Sequence, residues 1–301
     1  MNKTIRTFGI FGIVILALVM TFSVKDSIAK YNEEIKTSEY YQIKALKLPR
    51  EMSFAGEKAP LDDQEVYERI DRELLVNTYW QSNMLLYLKR AGKYFPIIEP
   101  ILEKNGIPDD FKYLAVIESG LTNATSTAGA KGFWQFMPTT AKEYGMEVND
   151  NVDERYHVEK ATEMACRYLK NAKEKLGSWS LAAAAYNSGN KNITDRMAQQ
   201  KVDNYYNLLL QDETARYVPR IVAVKEIMQN PDKYGYIIEK EDLYQPEKTS
   251  LVSVDTTITN LTAFAEKFDM TYKDLKYYNP WLRNTSLENK LRKKYLIKVK
   301  E

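Results

Sequence analysis

The chain has 301 residues, 44% of them hydrophobic and 12% aromatic, with a formal net charge of +2. That composition supplies a sizeable core plus a smaller unit and excludes wholesale disorder, and the near-neutral charge gives no reason to expect a nucleic-acid partner. A single cysteine, Cys166, and a single histidine, His157, exclude an internal disulfide and zinc sites of the Cys/His kind, so no metal and no cofactor is expected.

Lys3 and Arg6 precede an uncharged apolar run from Phe8 to Val24, which Lys25 and Asp26 end. Residues 1–24 therefore read as a signal peptide or a membrane anchor, with the body of the chain exported. No small-residue cleavage site and no lipid-accepting cysteine follow, which favours an anchor with its basic end inside. Residues 25–60 carry mixed charges and no clear apolar face, as a spacer would.

Residues 61–236 read as a helical domain. Val66, Ile70 and Leu74 recur at helical spacing after an acidic start, and Trp80, Met84, Leu85 and Leu88 mark a second helix from Thr78 to Gly92. Pro96 opens a third helix that stops at Asn105-Gly106, and Phe111 to Ser119 forms a fourth. Pro138 suits the first turn of a short helix to Tyr144. A long amphipathic helix follows from Val158 to Leu176, with Gly177 as its cap. An alanine-rich helix from Ser180 to Tyr186, a stretch from Gly189 to Gln199 and a helix from Glu213 to Gln229, with Pro219 as a start or kink, complete an all-α body. Residues 237–249 turn polar and read as a linker. In 250–301, Leu251 to Val254 and Tyr295 to Val299 suit strands, with helical spacing between them, which predicts a small α+β module. Its basic tail is either a solvated face or a contact for an acidic polymer.

The organising stretch is Leu114 to Pro138. An apolar run, Leu114 to Ile117, ends in one acid, Glu118, near the negative end of its helix. Such an acid is either a solvated helix end or a proton donor kept neutral by burial, and Phe133, Trp134 and Phe136 are available to wall it in. Gln135 either satisfies the loop backbone or faces a polar ligand, and Tyr186 and Asn187 either stop a helix or present a phenol and an amide. Trp134, Trp179 and Tyr186 offer faces to a sugar or simply fill the core.

Four motifs in order resemble the lytic murein transglycosylases with a goose-lysozyme-like SLT fold. They are ESG at Glu118, GFWQFMP at Gly132 to Pro138, AYNSG at Ala185 to Gly189 and ETARYVP at Glu213 to Pro219. The membrane-bound D type is the most similar subgroup, and the tail from about Ser250 resembles a degenerate LysM-like segment. The resemblance implies a lyase of exo-transglycosylase type, although no residue separates end from internal cleavage. It would act on peptidoglycan glycan strands at the cell envelope, on the periplasmic side. Glu118 would be the only catalytic carboxylate, protonating the oxygen between N-acetylmuramic acid and N-acetylglucosamine and then deprotonating the muramic C6 hydroxyl to leave a 1,6-anhydro sugar. Tyr217 would hold Glu118 in place. Ser119, Gln135, Phe136, Met137, Tyr186 and Asn187 would bind sugar or order the site. Two other functions remain open. A hydrolytic muramidase would need a base for water, for which Asp153 and Glu154 are the nearest acids; a silent wall-binding protein would need none.

Overall fold

The computed structural model describes residues 24–30 and 43–301. The chain forms two compact units, Met1–Ala45 and Leu46–Glu301. In the first, residues 24–30 are helical. Apart from Val24, the apolar run from Phe8 lies outside the described residues, and among the described residues no helix is long and apolar enough to cross a membrane.

The second unit opens with a hairpin of β1 (Ser53–Phe54) and β2 (Glu57–Lys58). These residues fall in the stretch read as spacer, yet Met52, Phe54 and Ala59 are buried in the core. The segment is too short to show a periodic pattern, and it folds because its few anchors are strong. Phe54 packs edge-on to Phe111 at 4.9 Å. Asp110 accepts both the Ala55 backbone N–H and the Lys225 ammonium at 2.7 Å.

The helices are α1 (Gln64–Tyr79), α2 (Gln81–Lys104), α3 (Lys112–Ser119), α4 (Pro138–Glu143), α5 (Val158–Leu176), α6 (Trp179–Ser188), α7 (Asn190–Gln200), α8 (Asp212–Ala215) and α9 (Tyr217–Gln229). Two differ from expectation: the helix expected from Glu213 to Gln229 is split at Arg216 into α8 and α9, and α2 runs unbroken through Pro96 and Pro100. Each proline removes an N–H and crowds the carbonyl one turn back, and burial of Tyr87, Leu88, Ile98 and Leu102 along the same helix outweighs that cost.

Helix α9 is the central post. Most of its side chains, from Tyr217 to Ile227, are buried, as expected of a helix apolar on most faces. It packs on α1, α3 and α6. The run Ala182 to Ala185 in α6 is fully buried, and its small side chains let the backbones approach. Glu57 caps α6 from the hairpin. Its carboxylate accepts from Trp179 N at 2.6 Å, Ser180 N at 2.8 Å and Ser180 Oγ at 2.7 Å, where the helix dipole favours an anion.

The tail forms an antiparallel pair, β3 (Thr249–Val254) with β4 (Tyr295–Lys300), in register from Thr249 opposite Lys300 to Val254 opposite Tyr295. Helices α10 (Leu261–Glu266) and α11 (Tyr272–Tyr278) lie between these strands in sequence. The buried cluster of this module also takes in Val152 and Tyr156 from the helical body.

Replacing Glu57 with alanine removes an acceptor for backbone donors that have no partner within the helix. The expected cost is about 1–2 kcal/mol of unfolding free energy, read by urea denaturation, with a smaller loss for Glu57→Gln. An unchanged urea midpoint for Glu57→Ala would contradict the capping role.

Candidate active site

Glu118 is the penultimate residue of α3, and Gly120 ends that helix in the left-handed conformation at φ 59°. A side chain at Gly120 would stand 2.7 Å from the Tyr87 ring, so both the turn and the packing require glycine there. The turn is fixed further by the Arg90 guanidinium, which donates to Gly120 O at 2.9 Å.

The Tyr217 hydroxyl donates to Glu118 Oε1. Tyr217 is the first residue of α9, so the helix at the centre of the core aims the phenol at the acid. Glu118 retains some solvent access, yet enough protein surrounds it to push its carboxyl up to about 7. Burial is the main cause, and the nearby Glu213 adds to it; the Tyr217 hydrogen bond and the Arg220 charge oppose it. Burial also raises the Tyr217 and Tyr186 phenols well above their ordinary value, and the Glu118 charge adds to both shifts. Both tyrosines are therefore neutral donors at any working pH.

The wall opposite is the segment from Leu121 to Met137, and most of the residues expected at the site hold it together. Ser119 Oγ donates to Phe133 O at 2.9 Å, tying the end of α3 to the wall. Gln135, in a left-handed conformation at φ 48°, turns its amide inward and donates to Gly132 O at 2.7 Å and Ala124 O at 3.2 Å. The Tyr186 hydroxyl donates to Trp134 O at 2.5 Å, and its ring lies 5.5 Å from that of Phe136. Asn187 Oδ1 accepts from Thr214 Oγ1 at 2.8 Å and so joins α6 to α8. Met137 is 39% exposed and offers an apolar surface to solvent.

Trp134 is fully buried, with its indole N–H on Thr162 Oγ1 at 2.9 Å, so it fills the core and presents no face to a sugar. Trp179 packs against Phe111 at 5.3 Å.

Two sets of residues support the site in ways that the sequence does not single out. Arg155 is buried and donates to Gly129 O and Phe136 O at 3.1 and 3.0 Å, clamping the wall from behind. It pairs through two nitrogens with Asp153, at 2.9 and 2.8 Å. A side chain at Gly132 would collide with Arg155 O at 1.9 Å. The second set centres on Glu73, which is 2% exposed and takes Arg72, Arg216 and Arg220. It holds in place the Arg220 cation that acts on Glu118. Spacing could have hinted at it, since Arg216 and Arg220 stand one helical turn apart around Tyr217.

Residues 95–209 match the family model "Transglycosylase SLT domain". Residues 250–301 match the "Soluble lytic transglycosylase C-terminal LysM-like domain". The Membrane-bound lytic murein transglycosylases D of Escherichia coli K12 and of Escherichia coli O6:H1 are each 30% identical over 205 residues, covering 66% of this chain. The chain spans 44% of the length of those curated relatives. Among solved structures, an inactive mutant of the lytic transglycosylase Slt from Pseudomonas aeruginosa matches at 18% identity and a TM-score of 0.36, covering 52% of this chain and 27% of that one. The SLT match contains Glu118, Gln135, Tyr186 and Asn187, and Tyr217 follows it in the chain.

The raised carboxyl of Glu118 has a consequence for stability. Its value moves from 4.5 to about 7 on folding, so the folded state holds the proton more tightly. The associated stability is full below pH 4.5 and is lost as pH rises through about 7. Glu118→Gln lacks this loss. It is expected to match wild type at pH 4 and exceed it at pH 8 by about 1–3 kcal/mol, the full shift discounted for partial exposure. Chemical denaturation at the two pH values checks this; a variant less stable than wild type at pH 8 contradicts it.

Proposed function

We propose that the chain is a peptidoglycan lytic transglycosylase that cleaves the β-1,4 bond between N-acetylmuramic acid and N-acetylglucosamine without water, leaving 1,6-anhydro ends. The observation that carries this reading is one raised carboxyl, on Glu118, held by Tyr217 inside an SLT domain. The relatives named as lytic murein transglycosylases add to it.

Glu118 serves in turn as acid and base. In its protonated form it delivers a proton to the glycosidic oxygen as the bond to the muramic anomeric carbon breaks. The resulting carboxylate then takes the proton from the muramic C6 hydroxyl as that oxygen bonds to the anomeric carbon. The proton returns to Glu118, the glucosamine unit leaves as an alcohol, and no water is consumed. A pKa near 7 suits a group that must work in both directions. Tyr217 positions the carboxyl and, by donating to it, stabilises the carboxylate formed midway.

Hydrolysis by a muramidase has less support. A second carboxylate would have to activate water, and Asp153 is engaged by Arg155 while Glu154 is held by Lys160 at 2.5 Å and by the Glu147 N–H at 2.8 Å. Those partners outweigh the effect of burial and keep Glu154 below the usual carboxylate range. A silent wall-binding protein would have no use for a carboxyl so costly to bury.

The site of action is proposed to be the cell envelope. Lys3 and Arg6 ahead of the apolar run Phe8 to Val24 support export and tethering.

Mass spectrometry of a peptidoglycan digest should show anhydro-muropeptides; reducing ends in their place would favour hydrolysis, and an unchanged substrate would favour a silent protein. Glu118→Gln is expected to abolish release while retaining the fold. Tyr217→Phe is expected to slow turnover about 10- to 100-fold with KM little changed, and to move the pH profile upward, because the bond that lowers the Glu118 pKa is gone. Unchanged turnover would remove the role given to Tyr217.

A further inference from the structure

The LysM-like module is fixed against the SLT domain. Val152 pairs with Leu282 as an isolated bridge, Asp153 N donates to Trp281 O at 2.9 Å and Arg283 N donates to Asn151 O at 2.8 Å. Lys293 pairs with Glu147, and Lys298 with Glu159, both at 2.5 Å. The segment between the two parts is docked as well, since Tyr244 N donates to Lys89 O on α2 at 2.9 Å.

Between these parts lies a cavity of about 490 Å³, bounded by Arg90, Leu121, Asn123, Tyr244, Gln245 and Tyr277. A second, of about 240 Å³, reaches further under the module to Tyr278 and Trp281. The two share Lys93, Tyr94, Asn123, Glu247 and Tyr277, and so form one trough. At its near end the lining is Leu121, Thr122 and Asn123, directly after the turn that carries Glu118. Its floor is tied to the active-site wall, since Tyr94 packs edge-on to Phe133 at 4.6 Å and Ser119 bonds to Phe133 O. Its far rim is tied down by Lys93, which donates to the Tyr277 hydroxyl at 2.8 Å and pairs with Glu247 at 3.3 Å.

We infer that this trough is an outer binding site for the glycan strand, so that the LysM-like module and the preceding linker supply one wall of the substrate path. This rests on the reading of the chain as an enzyme of peptidoglycan. The chemistry suits a polymer rich in hydroxyls and amides that also carries carboxylates, as the muramic lactyl groups of a peptide-free strand do. Tyr244 and Tyr277 are 43% and 58% exposed, with Lys89 over one ring and Lys93 over the other, and Asn123 and Gln245 add amides to the lining. The lining holds more cations than acids: Lys93 pairs with Glu247 and Lys298 with Glu159, while Arg90 and Lys276 donate to backbone carbonyls, a balance that suits the carboxylates of the strand.

The test uses the full chain carrying Glu118→Gln, so that bound glycan is not consumed. Peptide-free strands of alternating N-acetylglucosamine and N-acetylmuramic acid are separated into four-sugar and polymeric fractions, and Kd is measured for each. The added change Tyr244→Ala with Tyr277→Ala is expected to weaken polymer binding about tenfold and to leave four-sugar binding unchanged. Asn123→Ala, on the opposite wall, is expected to move polymer binding in the same direction by a smaller factor. The inference is overturned if neither variant separates long from short strands, whether both fractions weaken equally or neither weakens. Absence of anhydro products from the chain with Glu118 intact would instead refute the catalytic reading, and the binding series would still decide the trough.

Discussion

The structure depends on one hydrogen bond made under desolvation, from the Tyr217 phenol to the Glu118 carboxyl. Enclosing a carboxylate is unfavourable, and its place near the negative end of α3 makes it more so. The protein answers in two ways. It lets the acid keep its proton up to about pH 7, and it supplies a donor that stabilises the charge when the proton leaves. Because that donor stands on a largely buried helix of the core, the geometry of the site is set by the packing of the whole domain and not by a loop.

The opposite wall follows the same logic by other means. It is a long irregular segment with two isolated bridges, Thr125 to Lys131 and Lys131 to Phe136, in place of a sheet. Ser119, Gln135, Tyr186 and Arg155 satisfy its carbonyls from several directions, as buried backbone requires. Residues that a sugar was expected to meet, Gln135 above all, are thus committed to the loop.

Much of this was legible in the sequence because it rests on local signals. The apolar run into Glu118, the Gly177 cap and the periodic helices all appear as short-range patterns, and the α+β tail was visible in the alternation at Tyr295 to Val299. What was missed rests on contacts distant in sequence. Glu57 is an ordinary acid until α6 arrives 122 residues later to be capped by it. Glu73 looks like a surface residue of α1 until Arg216 and Arg220 close over it. Local preference alone makes Pro96 a helix start, and tertiary burial overrides it. Trp134 was placed among residues that could meet a sugar, and only the partner at Thr162 shows that it belongs to the core.

The most direct test is a titration of the Glu118 carboxyl itself, by ¹³C NMR of protein labelled at the glutamate side-chain carboxyl, with the resonance assigned by its loss in Glu118→Gln. A midpoint near pH 7 is expected, moving higher in Tyr217→Phe. A midpoint near 4.5, the value of an ordinary glutamate, would contradict the central claim.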